Sequence, residues 1–322
     1  MKRIIALGVV ILIVAAAYTG AWFWAAGQIG AYQQEFAAAD GVTEPKLICG
    51  SFGVGGFPFG FDLTCTNATL TLGDTTVAAA GVKASAEVYN PTHVLVFAQS
   101  PVSIADAFTG SQSRVDFESA EGSARLSGWR IGRVSLIVEK PAWNDSVLED
   151  RLIAKADHAE AHLIDLPKQY DAKAGLGALG EYVQVDGLNA PGFDIVAGKT
   201  KFQGELTKVP DDVRTYGDAD LVKRWQAAGG EFKLVGFDGD DGLTHFDATG
   251  TLSLDAQGRA NGSLKLNSKG VVERLGAVIP EQYKALIVGG QAADGSYSQT
   301  VTIAAGVVFS GLVPTGVIPP AF

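Results

Sequence analysis

The chain has 322 residues, with 25 Lys plus Arg against 35 Asp plus Glu and a formal net charge of -10 at pH 7. That balance repels polyphosphate chains and anionic lipid surfaces, so nucleic acid is excluded as a partner. Glycine accounts for 40 of the 322 residues, well above the usual ~7 percent, and points to many tight turns between many short strands.

Lys2 and Arg3 precede an uncharged stretch from Ile4 to Ala26 that includes Tyr18, Trp22 and Trp24. At ~1.5 Å of rise per residue it is long enough to cross a ~30 Å hydrocarbon core. The basic pair, and the absence of charge until Glu35, predict a cytoplasmic N-terminus and an exported remainder. Ala15 and Ala17 resemble a signal-peptidase site, but apolar and aromatic residues continue through Trp24, which favours an uncleaved anchor. Cys49 lies too far on for a lipoprotein. Ile29, Tyr32 and Phe36 recur at helical spacing, so the helix is expected to continue to about Ala39. The expected organisation is an anchor over 1–27, flanked by Lys2, Arg3, Trp22 and Trp24, a helical stem over 28–45, and a periplasmic β-rich domain over 46–322.

The two cysteines, Cys49 and Cys65, enclose a Gly- and Pro-rich turn centred near Phe57. A hairpin folded about Phe57 sets them opposite each other, which fits a cross-strand disulfide in an exported protein. Metal or redox use is disfavoured by the lack of a CxxC motif or a nearby His. Period-two alternation predicts strands near 46–53, 61–72, 76–88, 93–98, 114–126, 129–139, 152–165, 180–188 and 199–208.

Further on, Phe246, Ala248, Gly250, Leu252 and Leu254 share one face of a strand, and the turn from Asp255 to Gly262 leads into Leu264 and Leu266. The hairpin therefore buries one face only. A helical partner is expected from Leu221, Val222 and Trp225, capped by Asp218 or Asp220 and ended by Gly229 and Gly230. Two more helices are predicted, over about 269–278 and from Pro280 to before Gly289, then a strand over 298–304 and a tail packed back on the domain.

His158, Glu160 and His162 alternate on one strand face and could offer metal ligands, with His93 and His245 the remaining histidines. A solvated strand face accounts for the same letters, and no metal is assigned. Gly175, Gly177 and Gly180 form a GxGxxG string. A dinucleotide site needs a strand before it and a helix after it, whereas here a strand follows, which favours a glycine-rich turn. Asp211-Asp212 and Asp238 to Asp241 lack the spacing of a calcium loop and read as acidic turns. GxSxG, Walker-type and HExxH motifs are absent from the sequence.

The turn Gly56 to Phe59, the segment YNPTHVLV from Tyr89 to Val96, the block WQAAGGEFKLVGF from Trp225 to Phe237, the hairpin from Gly250 to Leu266 and the ending Pro319-Pro320-Ala321-Phe322 together resemble the domain of unknown function 2125 family of Gram-negative envelope proteins. The resemblance runs from the anchor to the last residue. It implies an N-terminal anchor, a periplasmic β-rich domain, and no established activity or catalytic residues. The DxxGxxxG turns also look like pieces of the AsmA-like envelope proteins, whose curled sheets form apolar grooves associated with lipid handling; that likeness is one of architecture, which does not carry function.

The expected fold is β-rich α+β, a large curled antiparallel sheet with helices packed on one face and an N-terminal transmembrane helix. The expected location is the inner membrane, single-pass, with the main domain in the periplasm. Phe246, Leu252, Leu254, Leu264 and Leu266 either pack under helices, the ordinary fate of such a face, or line a groove for an acyl chain. The leading functional expectation is a non-enzymatic protein that binds or handles a lipid or other hydrophobic envelope component. The alternative is a scaffold that braces an envelope assembly through its edge strands and has an envelope protein as partner. A metal-dependent envelope hydrolase, resting on His158 and His162, is the third. No catalytic residue and no cofactor is assigned.

Overall fold

The computed structural model describes residues 2–275 and 288–322. The predicted helix from Pro280 lies outside them. The chain begins with α1 (Lys2–Ala38), which is long and apolar enough to cross a membrane. It continues through β1 (Lys46–Ile48), β2 (Ser51–Gly55), β3 (Gly60–Leu72), β4 (Thr75–Glu87), β5 (Asn90–Ala98), β6 (Val102–Asp106), β7 (Gln112–Asp116), β8 (Ser119–Ser127), β9 (Arg130–Glu139), β10 (Ala142–Asp145), β11 (Arg151–Lys155) and β12 (His158–Asp165). Then come β13 (Leu176–Ala190), β14 (Ile195–Pro210), α2 (Leu221–Ala227), β15 (Glu231–Asp240), β16 (His245–Leu254), β17 (Ala260–Lys269), α3 (Val271–Leu275), β18 (Ser296–Ala304), β19 (Val307–Ser310) and β20 (Val313–Val317). Among the described residues, twenty strands join one antiparallel sheet.

Two compact units divide the chain: Met1–Ser123 with Ala142–Leu152, and Ala124–Pro141 with Ile153–Phe322. In the first, β3 pairs with β1, β2 and β4, β4 pairs with β5 and β6, and β7 pairs with β6 and β10. In the second, β9 and β12 open a meander in which β13 to β20 each pair with the strand before them.

Five strands escape the strand reading, β6, β10, β15, β19 and β20, and the first three do so for local reasons. β6 and β10 are five and four residues long and each follows a proline, Pro101 or Pro141, too short for alternation to register. In β15 a register shift between Leu234 and Phe237 puts Phe232, Leu234, Phe237 and Gly239 on one face, so the alternation breaks midway. The predicted strand 152–165 is two, interrupted at Ala156 and Asp157. The predicted helical partner of the β16–β17 hairpin is corrected by its contacts, since within the sheet β15 and β18 flank the hairpin and the helix packs on another strand. α2 instead lies against β14, where the Trp225 indole donates to the Thr207 carbonyl at 2.7 Å.

Cys49 and Cys65 are bonded, with Cα atoms 5.2 Å apart. The hairpin register differs from that expected, because β2 sets Phe52, not Cys49, opposite Cys65. Cys49 and Gly50 fall in a gap between β1 and β2, opposite Asn67, which adopts a left-handed φ of 47°. At the interruption between β1 and β2, Cys49 reaches a residue three places from the one its register sets opposite it.

Candidate functional site

The second unit presents one apolar sheet face, assembled by register into three rows that run across the strands. One row reads Leu136, Ala161, Val183, Phe202, Phe237, Ala248 and Leu266. The next reads Val134, Leu163, Glu181, Gly204, Leu234, Gly250, Leu264 and Val301, and the third reads Leu179, Leu206, Phe232, Leu252, Gly262 and Ile303. Directly opposed residues in an antiparallel pair point to the same side, so the rows form one surface. Gly204 is where a row needs no side chain: a Cβ there would stand 2.8 Å from the Phe232 ring, which lies across its backbone.

All five residues expected to line a groove, Phe246, Leu252, Leu254, Leu264 and Leu266, belong to this face, and each is half-buried. One end of the face is covered. Ile131, Leu179 and Val209 form a buried cluster, and Val213, Tyr216 and Trp225 from the segment after β14 pack against it. Toward the other end cover thins: Val183 is 37% exposed, Phe237 38% and Leu136 48%. There Phe202 contacts Phe232 and Phe237 with ring centroids 6.2 and 6.1 Å apart, and Phe237 meets Phe246 edge-on at 5.0 Å. This aromatic row, which links β14, β15 and β16, is missed by a reading of single strands because β15 is bulged.

Glu181 stands in the middle of the apolar face, opposite Leu163 on one side and Gly204 on the other. Burial pushes its carboxyl above the usual carboxylate range. A carboxyl raised on folding contributes stability at low pH that is lost as pH rises from the unfolded value through the folded one. Glu181→Gln is therefore expected to stabilise the unit at pH 7 and to have no effect below pH 4; urea melts at the two pH values check it, and equal midpoints at pH 7 would show that the carboxyl is not desolvated. The alternation of EYVQV already sets Glu181 with Val183 and Val185; what the sequence hides is that this is the apolar side.

The opposite face of β12 carries the candidate metal ligands. His158 Nδ1 lies 2.8 Å from Glu139 Oε1, and its Nε2 lies 3.8 Å from Glu160 Oε2. His162 Nε2 lies 3.2 Å from the same Glu160 oxygen, and its ring stacks on Tyr182. The Glu139 hydrogen bond raises the His158 pKa above its ordinary value. Among the described residues no group of three or more His, Cys, Asp or Glu is placed to hold a metal ion. His93 bonds Ser123 at 3.0 Å and His245 faces Asp240 at 3.4 Å, so neither joins His158 and His162.

In the GxGxxG string, Gly175 takes a positive φ in a turn, while Gly177 and Gly180 lie inside β13. Of the acidic turn before β16, Asp241 is tied down: its carboxylate accepts from the backbone of Leu243 and Thr244 and from Arg274 Nη1 at 2.5 Å. These contacts, the Arg274 bond first, hold its pKa well below the usual carboxylate range. The anchor residues divide: Lys2, Arg3 and Trp24 are exposed, whereas Trp22 is buried against the β2–β3 hairpin.

No curated protein matches the chain. Residues 22–319 match the family described as "Uncharacterized protein conserved in bacteria (DUF2125)". With the match running from the middle of α1 to within three residues of the C-terminus, the chain belongs to the DUF2125 family.

Proposed function

We propose that this is a single-pass inner-membrane protein with a cytoplasmic N-terminus and a periplasmic β-rich part, and that the second unit binds or handles a lipid or other hydrophobic envelope component without chemistry of its own. The observation that carries this reading is the aromatic row Phe202, Phe237 and Phe246 on a sheet face whose far end is covered and whose near end is open to solvent. Apolar surface left in water is costly, at about 25 cal/mol per Å², and contiguous exposed patches mark binding sites. Crossing from β13 to β17 the face extends over four strand intervals, roughly 19 Å at ~4.8 Å each, which suits an extended acyl chain. The basic pair at the start of α1 and the Cys49–Cys65 bond support an oxidising compartment outside the cytoplasm.

The test is photo-crosslinking of the full-length protein in cells, with benzoylphenylalanine in place of Phe237 and, as control, in place of Lys201 on the opposite face of the same sheet. A lipid adduct at 237 and none at 201 is the expected result. A discrete protein adduct at 237 without lipid would turn the reading to the scaffold, and no adduct at 237 would remove the open face as a binding site.

A further inference from the structure

The turn between β2 and β3 folds back onto the outer half of α1. Trp22 stacks on Phe61 with ring centroids 5.3 Å apart and planes 10° apart, and Phe57 meets Trp22 at 5.4 Å and Phe23 at 5.8 Å. The Tyr18 hydroxyl donates to the Pro58 carbonyl, and the Trp22 indole donates to the Gly60 carbonyl at 2.9 Å. The turn is thus fixed to the helix at two points one helical turn apart.

The level of those points follows from the sequence. A span of ~20 residues crosses the hydrocarbon, and any such window that keeps Arg3 and Gln28 outside it contains both Tyr18 and Trp22. The turn attached to them stands at the same depth. Its surface suits that position: Phe57, Phe59 and Tyr89 of the neighbouring β4–β5 turn are exposed, Phe59 by 72% and Tyr89 by 75%. From Gly56 to Phe61 there is no charged residue, and the first carboxylates behind the tip are Asp62 and Glu87. Its backbone suits it too, since an unpaired carbonyl in lipid costs several kcal/mol. The carbonyls of Gly56, Phe59, Pro58 and Gly60 accept from Gly60 N, Val88 N, Tyr18 and Trp22 respectively.

We infer that the tip formed by Phe57, Pro58, Phe59 and Tyr89 enters the bilayer that α1 crosses, at the level of Tyr18 and Trp22, as a second membrane contact that sets the first unit at a defined height and angle on the membrane. Phe57 and Phe59 are wholly apolar, and Tyr89 carries the polar edge that is favoured nearer the headgroups. The inference rests on α1 being a membrane span, and goes beyond the lipid-binding reading of the second unit.

Both native cysteines are bonded to each other, so a single introduced cysteine can carry a spin label. In full-length protein reconstituted into phosphatidylethanolamine and phosphatidylglycerol vesicles, labels at Phe59→Cys and, independently, Tyr89→Cys are expected to show accessibility to oxygen several-fold higher, relative to a water-soluble nickel chelate, than a label at Asp74→Cys. Asp74 lies in the turn at the other end of β3. A label at Ile11→Cys separates the two readings. Nickel-accessible labels at 59 and 89 beside a lipid-buried label at 11 would overturn the tip insertion alone; a nickel-accessible label at 11 would overturn the span and the inference with it.

Discussion

Leu179→Ala lowers the stability of the second unit by about 2–5 kcal/mol, the usual cost of removing a buried leucine together with the cavity it leaves, whereas Val183→Ala four residues along the same strand costs less than about 1 kcal/mol. Both side chains belong to the apolar face, and both positions lie in β13. The difference is cover. Leu179 is 6% exposed and packs in the cluster with Ile131 and Val209, under Val213, Tyr216 and Trp225. Val183 stands beside Phe202 at the end where cover thins. Denaturant melts of the two variants, compared at unchanged m-value, measure the gap directly. Equal losses would mean that the face is sealed along its whole length, and the open aromatic row would then be ordinary core.

Much of this was legible in the sequence because period two is a strong signal wherever a strand is long and regular. His245 to Leu254 alternates cleanly over ten residues, and the structure returns β16 with Phe246, Ala248, Gly250, Leu252 and Leu254 on one face. The long apolar helix was equally plain, since no charge occurs between Arg3 and Glu35. The failures share a cause: register is a relation between strands, and a single strand does not state it. The bulge in β15 hid the continuity of Phe232 with Phe237, and so hid the aromatic row. The hairpin is paired three places off the expected register on both sides of the gap between β1 and β2, which moves Cys49 from its expected partner position while leaving the disulfide itself correct. His158, Glu160 and His162 share a face as alternation requires, but their neighbours on β9 and β13 decide their chemistry, and those neighbours supply Glu139 and Tyr182. The role of Trp22 changed for the same reason. Sequence counted it among the residues of the membrane anchor, and the hairpin turn, distant in sequence, buries it.

Removing the disulfide by Cys49→Ala is expected to cost the first unit about 3 kcal/mol, since the bond closes a loop of sequence separation 16 and loops near that size restrict the unfolded chain by roughly that amount. The loss should fall unevenly. β1 has three residues and β2 five, and both depend on β3 for their backbone partners. Strands so short hold few ladder bonds, so the bond at Cys49, between them, fixes both ends at once. Cys65 is buried in β3 opposite Phe52 and Val82, and as a free thiol it remains a small hydrophobe that needs no polar partner. The cost is therefore one of chain freedom more than of damaged packing. Hydrogen exchange should quicken across residues 46–55 and stay unchanged in β13 to β16. It should also loosen the tip at Phe57, because β2 leads directly into that turn, so the grip of Tyr18 and Trp22 on Pro58 and Gly60 weakens when the bond is absent. Two free thiols in the oxidised, denatured wild-type protein would show that the bond does not form. Uniform acceleration of exchange across the first unit would show that it supports the sheet as a whole and not the junction of β1 and β2.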